Sequence, residues 1–261
     1  KAYDLLIQSE AGFVSVTGTP DEPCKAGPSI ADIAAGMYAY TNILAALLQR
    51  GQTGRGQHID ISMLEALAEW TTYPLYYAFD GAPPPPRTGA AHATIYPYGP
   101  FPTGDGGQVM LGLQNEREWV NFCTTVLQQP ALATDARFAG NARRVAERDA
   151  LRSLIVDTFS HLTAPQVVER LEAAQIANAR VNTMAEVWAH PQLQARKRWR
   201  EVGSPVGMLP ALLPPGSWGD DPADGPRMDP VPALGEHTDA ILTELGLDAD
   251  AIGRLRQAQA V

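Results

Sequence analysis

Asp32 stands where an apolar helix begins, in the run Ser29-Ile30-Ala31-Asp32-Ile33-Ala34-Ala35-Gly36-Met37. A carboxylate in the first turn of a helix faces backbone N–H groups that lack intrahelical partners, and it faces the positive end of the macrodipole. That setting favours a charged side chain, and a well-oriented carboxylate can attack an electrophilic carbonyl. The same spacing also reads as a capping box, with Ser29 as N-cap and Asp32 at N3. Capping is the commoner use of such a pair, so spacing alone leaves both readings open.

Other chemistry-bearing residues are sparse. The five histidines, His58, His92, His161, His190 and His237, include no pair at metal-ligand spacing. His92 closes Gly89-Ala90-Ala91-His92, a small-residue loop that either folds over a ligand or lies in solvent. Thr53-Gly54-Arg55-Gly56-Gln57 matches neither a phosphate loop nor a dinucleotide fingerprint, and it reads as a tight helix-to-strand turn. There is no Gly-x-Ser-x-Gly elbow, and Cys24 and Cys123 lack a nucleophile context. The clusters Arg143-Arg144 and Arg196-Lys197-Arg198 read as solvated faces.

Composition narrows the partners. The 261 residues are 45% hydrophobic and 19% charged, as in an ordinary globular protein. A net charge of −9 argues against nucleic acid, whose phosphates need a basic face. Two well-separated cysteines suggest reduced thiols and a cytoplasmic setting. No uninterrupted apolar run reaches the roughly 20 residues of a membrane span, and no signal peptide is visible, so no membrane partner is expected. The chain opens without a methionine on an organised stretch, as a fragment or processed piece would.

These residues need elements to position them. Apolar residues recur all round residues 30–48, which predicts a helix buried on nearly all sides, with Arg50 in its last turn and Gly51 as its stop. Residues 58–63 alternate like a strand, and residues 64–77 read as an aromatic-rich helix kinked at Pro74. Pro83-Pro84-Pro85-Pro86 begins a stiff crossing. A hairpin follows, with strands over 98–102 and 108–113 about a glycine-rich turn. Residues 115–190 read as helical, and Thr163 is an N-cap with Pro165 in the first turn. Eight prolines in 203–235 suggest a second extended linker, followed by short helices over 238–245 and beyond Asp248. Two Pro-rich crossings suggest a small middle domain inserted in a larger one, and composition alone supports an α/β or α+β chain.

Four segments together resemble the class III CoA-transferase family, which includes formyl-CoA transferase, carnitine CoA-transferases and α-methylacyl-CoA racemases. They are Ala2-Tyr3-Asp4-Leu5-Leu6-Ile7-Gln8, Ile30-Ala31-Asp32-Ile33-Ala34-Ala35-Gly36-Met37, Thr53-Gly54-Arg55-Gly56-Gln57-His58-Ile59-Asp60-Ile61-Ser62, and Tyr98-Gly99-Pro100-Phe101 with Thr103 and Asp105-Gly106. Weaker echoes run through Val181-Asn182-Thr183, His190-Pro191 and Leu234-Gly235-Glu236-His237-Thr238. The resemblance implies an α/β fold: a Rossmann-like large domain built from both chain ends, an inserted smaller α+β domain, and an interlocked-ring homodimer. On that plan residues 1–77 belong to the large domain, 78–97 are linker and active-site loop, and 98–202 form the small domain. Residues 203–235 are then the second linker, and 236–261 return to the large domain. It also implies a missing N-terminal portion that carries much of the CoA-binding surface, on this polypeptide or another.

The resemblance assigns chemistry to residues as well. It makes Asp32 the nucleophile that takes an acyl group from acyl-CoA and passes CoA to a free carboxylic acid, short-chain or dicarboxylic. No cofactor is permanently bound; the coenzyme A thioester is a substrate. Tyr3 would shape the thioester pocket, while Gly89 and His92 would belong to a mobile segment covering the acyl-enzyme. Family racemases carry histidine where this chain has Tyr3, and a tyrosine hydroxyl, with an ordinary pKa of about 10, is a poor proton shuttle near neutrality. Transferase is therefore the expected activity. An α-methylacyl-CoA racemase or epimerase, or a non-catalytic CoA-binding part of a heteromeric complex, are the alternatives.

Overall fold

The computed structural model describes residues 1–216 and 225–261. The chain is mixed α/β and divides into two compact units, residues 1–181 and 182–261.

The first unit opens with helices. They are α1 (Asp4–Glu10), the single turn α2 (Phe13–Val16), α3 (Ile30–Thr53), α4 (Met63–Trp70) and α5 (Thr72–Tyr77). Helix α3 runs past the predicted stop. Gly51 stays helical, and Gly54 takes the left-handed conformation (φ 69°), its N–H donating to the Arg50 carbonyl at 2.8 Å. This is the cap that glycine alone forms without a Cβ penalty.

Burial of α3 on nearly all sides is not what the structure shows. Only Ala31 and Ala34 are buried, because α1 and α4 pack on this small-residue stripe. Ile33, Met37, Tyr40, Ile43 and Leu47 remain exposed, and Leu48 is 74% exposed. The helix also exceeds the apolar length read from the sequence. Its 24 residues hold an 18-residue window of mean hydropathy 1.3, which would by length and composition cross a membrane, although polar residues such as Thr41 and Asn42 interrupt the run.

The predicted strand over 58–63 is absent: these residues are irregular until Ser62 caps α4 by accepting from the Glu65 N–H at 3.3 Å. Alternation creates a strand only where a partner edge exists to pair with it. The aromatic helix breaks at Thr71, whose hydroxyl donates to the Ala68 carbonyl, and Pro74 sits in the first turns of α5, where its missing N–H is harmless.

The hydrophobic core lies in residues 96–176. Strands β1 (Tyr98–Pro102) and β2 (Gln108–Gly112) form the expected hairpin, with Phe101 opposite Val109. A third strand, β3 (Ala177–Arg180), pairs antiparallel with β2, where the sequence reading had helix. Helices α6 (Glu116–Asn121), α7 (Asn141–Ala146), α8 (Arg148–Ser160) and α9 (Ala164–Ala173) enclose the buried faces of Phe101, Trp119, Phe122, Phe138 and Phe159. Thr163 is the N-cap of α9, as expected, and it forms a full capping box with Gln166 as well. The hairpin turn docks on the end of α8: the Gly104 N–H donates to the Phe159 and Leu162 carbonyls, and a Cβ on Gly104 would lie 2.1 Å from the Ser160 oxygen.

Of the two basic clusters, the first is only half solvated. Arg143 is exposed, but Arg144 is 3% exposed and donates two bonds of 2.8 Å to Glu116 and one of 3.2 Å to each of the Tyr96 and Phe138 carbonyls. In the second, Arg196 and Lys197 are exposed while Arg198 donates to the carbonyls of Leu213, Pro214 and Gly216.

The second unit contains α10 (Met184–Trp188), α11 (Pro191–Ala195), a two-stranded antiparallel ribbon of β4 (Trp199–Ser204) and β5 (Gly207–Leu212), and helices α12 (Thr238–Glu244) and α13 (Ala249–Gln257). The ribbon occupies the start of the stretch read as an extended linker. Pro210 is accommodated because, among the described residues, β5 pairs with β4 alone and leaves an edge where a missing N–H costs nothing. Residues 217–224 of that stretch lie outside the described residues.

Candidate active site

The sequence places Asp32 at the third residue of α3, and the structure shows what its side chain is free of. Ser29 occupies the N-cap position, but its side chain caps nothing. The donor that needs satisfying, the Ala31 N–H, is taken at 2.8 Å by Oδ1 of Asp4 from α1. Asp4 Oδ2 accepts from Gln8 Nε2 at 2.7 Å, and Gln8 Oε1 accepts from the Ala26 N–H at 2.9 Å. Gln8 is completely buried. The Asp32 carboxylate is exposed and has no hydrogen bond or ion pair among the described residues. Of the two sequence readings of Asp32, capping is therefore not the one the side chain adopts.

Tyr3 is brought to the same place. It is the N-cap residue of α1, its carbonyl accepts from the Ile7 N–H, and its ring is 64% exposed. The link Tyr3–Asp4···Ala31–Asp32 sets both residues on one helix junction.

Gly89 and His92 lie elsewhere in the same unit. They line a cavity of about 310 Å³ with Val16, Thr17, Tyr73 and Pro85, and neither Tyr3 nor Asp32 borders it. The loop is tightly held rather than loose. Arg87 donates to the carbonyls of Ser15, Thr19 and Pro20, and the Gly89 N–H donates to Gly18 at 2.7 Å. Gly89 has φ 64°, with open space where a Cβ would be. His92 Nδ1 accepts from the N–H groups of Thr94 and Ile95 at 3.2 and 3.1 Å, so the ring proton of the neutral form sits on Nε2. The His92 ring stacks on Tyr98 at 5.3 Å, and Arg148 donates to the His92 and Ala93 carbonyls. Beneath the loop Tyr96 is 2% exposed, and burial pushes its hydroxyl up to about 12 against the opposing pull of Arg152 and Arg148.

Sequence reasoning did not single out Asp4, Gln8, Arg87 or Arg148. The first two carried a signal, since four-residue spacing puts them on one face of α1. The two arginines had none, because their partners are carbonyls distant in sequence.

Comparison with known proteins gives this arrangement its class. Residues 1–238 match CoA-transferase family III, and the chain belongs to that family. It is 34% identical over 246 residues to the succinate–glutarate CoA-transferase of Agrobacterium fabrum, covering 93% of this chain and 60% of that protein. The human succinyl-CoA:glutarate CoA-transferase is 29% identical, with 99% of this chain and 59% of that protein covered. A CaiB/BaiF family protein from Brucella suis, known by crystal structure, superposes with a TM-score of 0.76 at 33% identity over 94% of this chain and 63% of that one. The chain thus spans about three fifths of the length of the curated relatives it matches.

Proposed function

We propose that the protein moves coenzyme A from an acyl-CoA to a free carboxylic acid, with Asp32 as the covalent nucleophile. The observation that carries this reading is the unengaged Asp32 carboxylate in the first turn of α3, a turn whose Ala31 N–H is capped from α1 by Asp4. The relatives named above, with their succinate and glutarate substrates, support a short-chain or dicarboxylic acid here.

The chemistry follows from the carboxylate's position. An Asp32 oxygen attacks the thioester carbonyl, the C–S bond breaks, and an aspartyl–acyl anhydride and a CoA thiolate result. The thiolate attacks the aspartyl carbonyl of the anhydride, releasing the first acid with the bridging oxygen and leaving an aspartyl-CoA thioester. The acceptor carboxylate then attacks that thioester, re-forming an anhydride and the thiolate. Attack of the thiolate on the new acyl carbonyl completes the product and returns Asp32. Covalent exchange splits one difficult step into easier ones and keeps the thioester from water. Free N–H groups of the α3 first turn favour the anionic nucleophile and the oxyanions that form beside it. Tyr3 walls the thioester pocket from α1. Gly89 and His92 line a cavity that Asp32 does not border, so the His92 Nε2–H would meet a part of the substrate away from the reacting carbonyl.

On the same reading the apolar face of α3 is covered by protein: a Rossmann-like large domain and an interlocked homodimer rather than a lipid bilayer or nucleic acid. Residues 1–77 and 236–261 belong to that large domain, and 78–97 carry the active-site loop. The free thiols of Cys24 and Cys123 support a cytoplasmic setting.

The test is to incubate the full-length protein with acyl-CoA, quench with hydroxylamine, and map the adduct by mass spectrometry. Modification at Asp32 together with CoA exchange is expected. Exchange of the α-proton with solvent, without modification or CoA transfer, would favour a racemase. CoA binding with neither chemistry would favour a non-catalytic role.

A further inference from the structure

Helix α3 could cap itself. Its sequence carries Ser29 at the N-cap position and Asp32 three residues on, the spacing in which a carboxylate folds back on the N-cap N–H. A first turn with unsatisfied donors draws in whatever acceptor is nearest, and Asp32 is the nearest in sequence. A nucleophile held in such a box would have to break hydrogen bonds before each attack.

The structure shows no such box: the Ser29 side chain caps nothing, and the first turn takes its acceptor from another helix. Asp4 reaches across 27 residues of chain to the Ala31 N–H. Its second oxygen is held by Gln8, whose own amide oxygen is held by Ala26. The direction of the Gln8 amide is fixed, because its oxygen must face an N–H and its nitrogen a carboxylate. Gln8 is fully buried, so water cannot substitute for either partner. Three segments, α1, residues 24–28 and the first turn of α3, are locked by one charge-assisted chain.

We propose that Asp4, braced by Gln8, is a positioning residue: it caps α3 in place of the Ser29 side chain and so fixes the first turn that presents the Asp32 carboxylate for attack. The proposal rests on the nucleophilic reading of Asp32. Without Asp4 the Ala31 N–H loses its partner, the Ser29 hydroxyl can take it instead, and the first turn that carries Asp32 loosens. Substrate binding is left as it was, while the fraction of enzyme with a correctly placed nucleophile falls.

The test uses the full-length protein and the variants Asp4→Ala, Asp4→Asn and Gln8→Leu. Three readouts are taken: kcat and KM for CoA transfer, the yield of hydroxylamine-trapped Asp32, and amide hydrogen exchange at Ala31. Asp4→Ala is expected to lower kcat and trapping by about tenfold or more with KM nearly constant, and to speed Ala31 exchange by about tenfold. Asp4→Asn keeps an acceptor oxygen for Ala31 and is expected to restore most of the kcat. Gln8→Leu falls between them, and it serves as the second variant if Asp4→Ala folds poorly. Unchanged trapping in Asp4→Ala, or equal loss in the Ala and Asn variants, overturns the positioning role while leaving the transferase reading intact. No trapping at Asp32 in the unsubstituted protein overturns both. Unchanged Ala31 exchange in Asp4→Ala refutes the clamp whatever the chemistry.

Discussion

Arg144 gives the most quantitative test of how the core of residues 96–176 is built. Its side chain is 4% exposed, whereas that of its ion-pair partner Glu116 is 61% exposed. Two of its hydrogen bonds go to the Tyr96 and Phe138 carbonyls, and its guanidinium lies 5.0 Å from the Trp119 ring centre. Arg144→Ala leaves two buried carbonyls without donors, at about 1–3 kcal/mol each. Loss of the cation–π contact adds about 0.5–2 kcal/mol. The Glu116 carboxylate simply rehydrates, so the ion pair itself contributes about 0–1 kcal/mol. The expected cost is therefore about 3–9 kcal/mol for Arg144→Ala, and less for Glu116→Gln, whose amide oxygen can still accept from the buried guanidinium. Urea unfolding followed by tryptophan fluorescence and circular dichroism measures both. A cost below about 1 kcal/mol for Arg144→Ala, or equal costs for the two variants, would refute the reasoning that carbonyl satisfaction, not the ion pair, is what Arg144 supplies.

Further predictions concern the turn, acid stability and the thiols. Gly104→Ala should destabilise the first unit by about 2–4 kcal/mol in the same unfolding assay, because its Cβ meets the Ser160 carbonyl at 2.1 Å and backbone must move. Asp105 and Glu116 are both held below the ordinary carboxylate range, Asp105 first by the Thr103 hydroxyl and Glu116 first by its hydrogen bonds with Arg144. With folded values below unfolded ones, their stabilisation is present above about pH 4 and is lost as pH falls through the folded values. Urea midpoints should accordingly decline on the acid side, and less steeply in Asp105→Asn. Burial pushes the Cys123 thiol up to about 12, while Cys24 is exposed. A disulfide reagent at mildly alkaline pH should thus titrate one thiol in the native protein and two after denaturation.

Local signals were legible in the sequence and long-range ones were not. The start of α3, the 98–112 hairpin and the Thr163 N-cap follow from residues within a few positions of one another. Strand β3 was invisible because Ala177-Asn178-Ala179-Arg180 alternates only in small alanines and has none of the β-branched or aromatic residues that mark a strand; it is a strand because β2 offers it an edge. The strand expected over 58–63 shows the converse, alternation with no edge to meet. Buried Arg144 looked like surface because charge is a poor guide where distant carbonyls supply the partners. The capping of α3 stayed open in the sequence for the same reason: the sequence shows Ser29 and Asp32, while Asp4 becomes a neighbour only after folding.

The fate of a carboxylate oxygen tests covalent catalysis at Asp32 most directly. In the proposed sequence the acceptor's attacking oxygen becomes the anhydride bridge and stays on Asp32 when the thiolate removes the new acyl group. Full-length protein turned over with an ¹⁸O-labelled acceptor acid should therefore carry ¹⁸O in the peptide containing Asp32, in one carboxylate oxygen. CoA transfer that proceeds at full rate with no label at Asp32 would contradict the account.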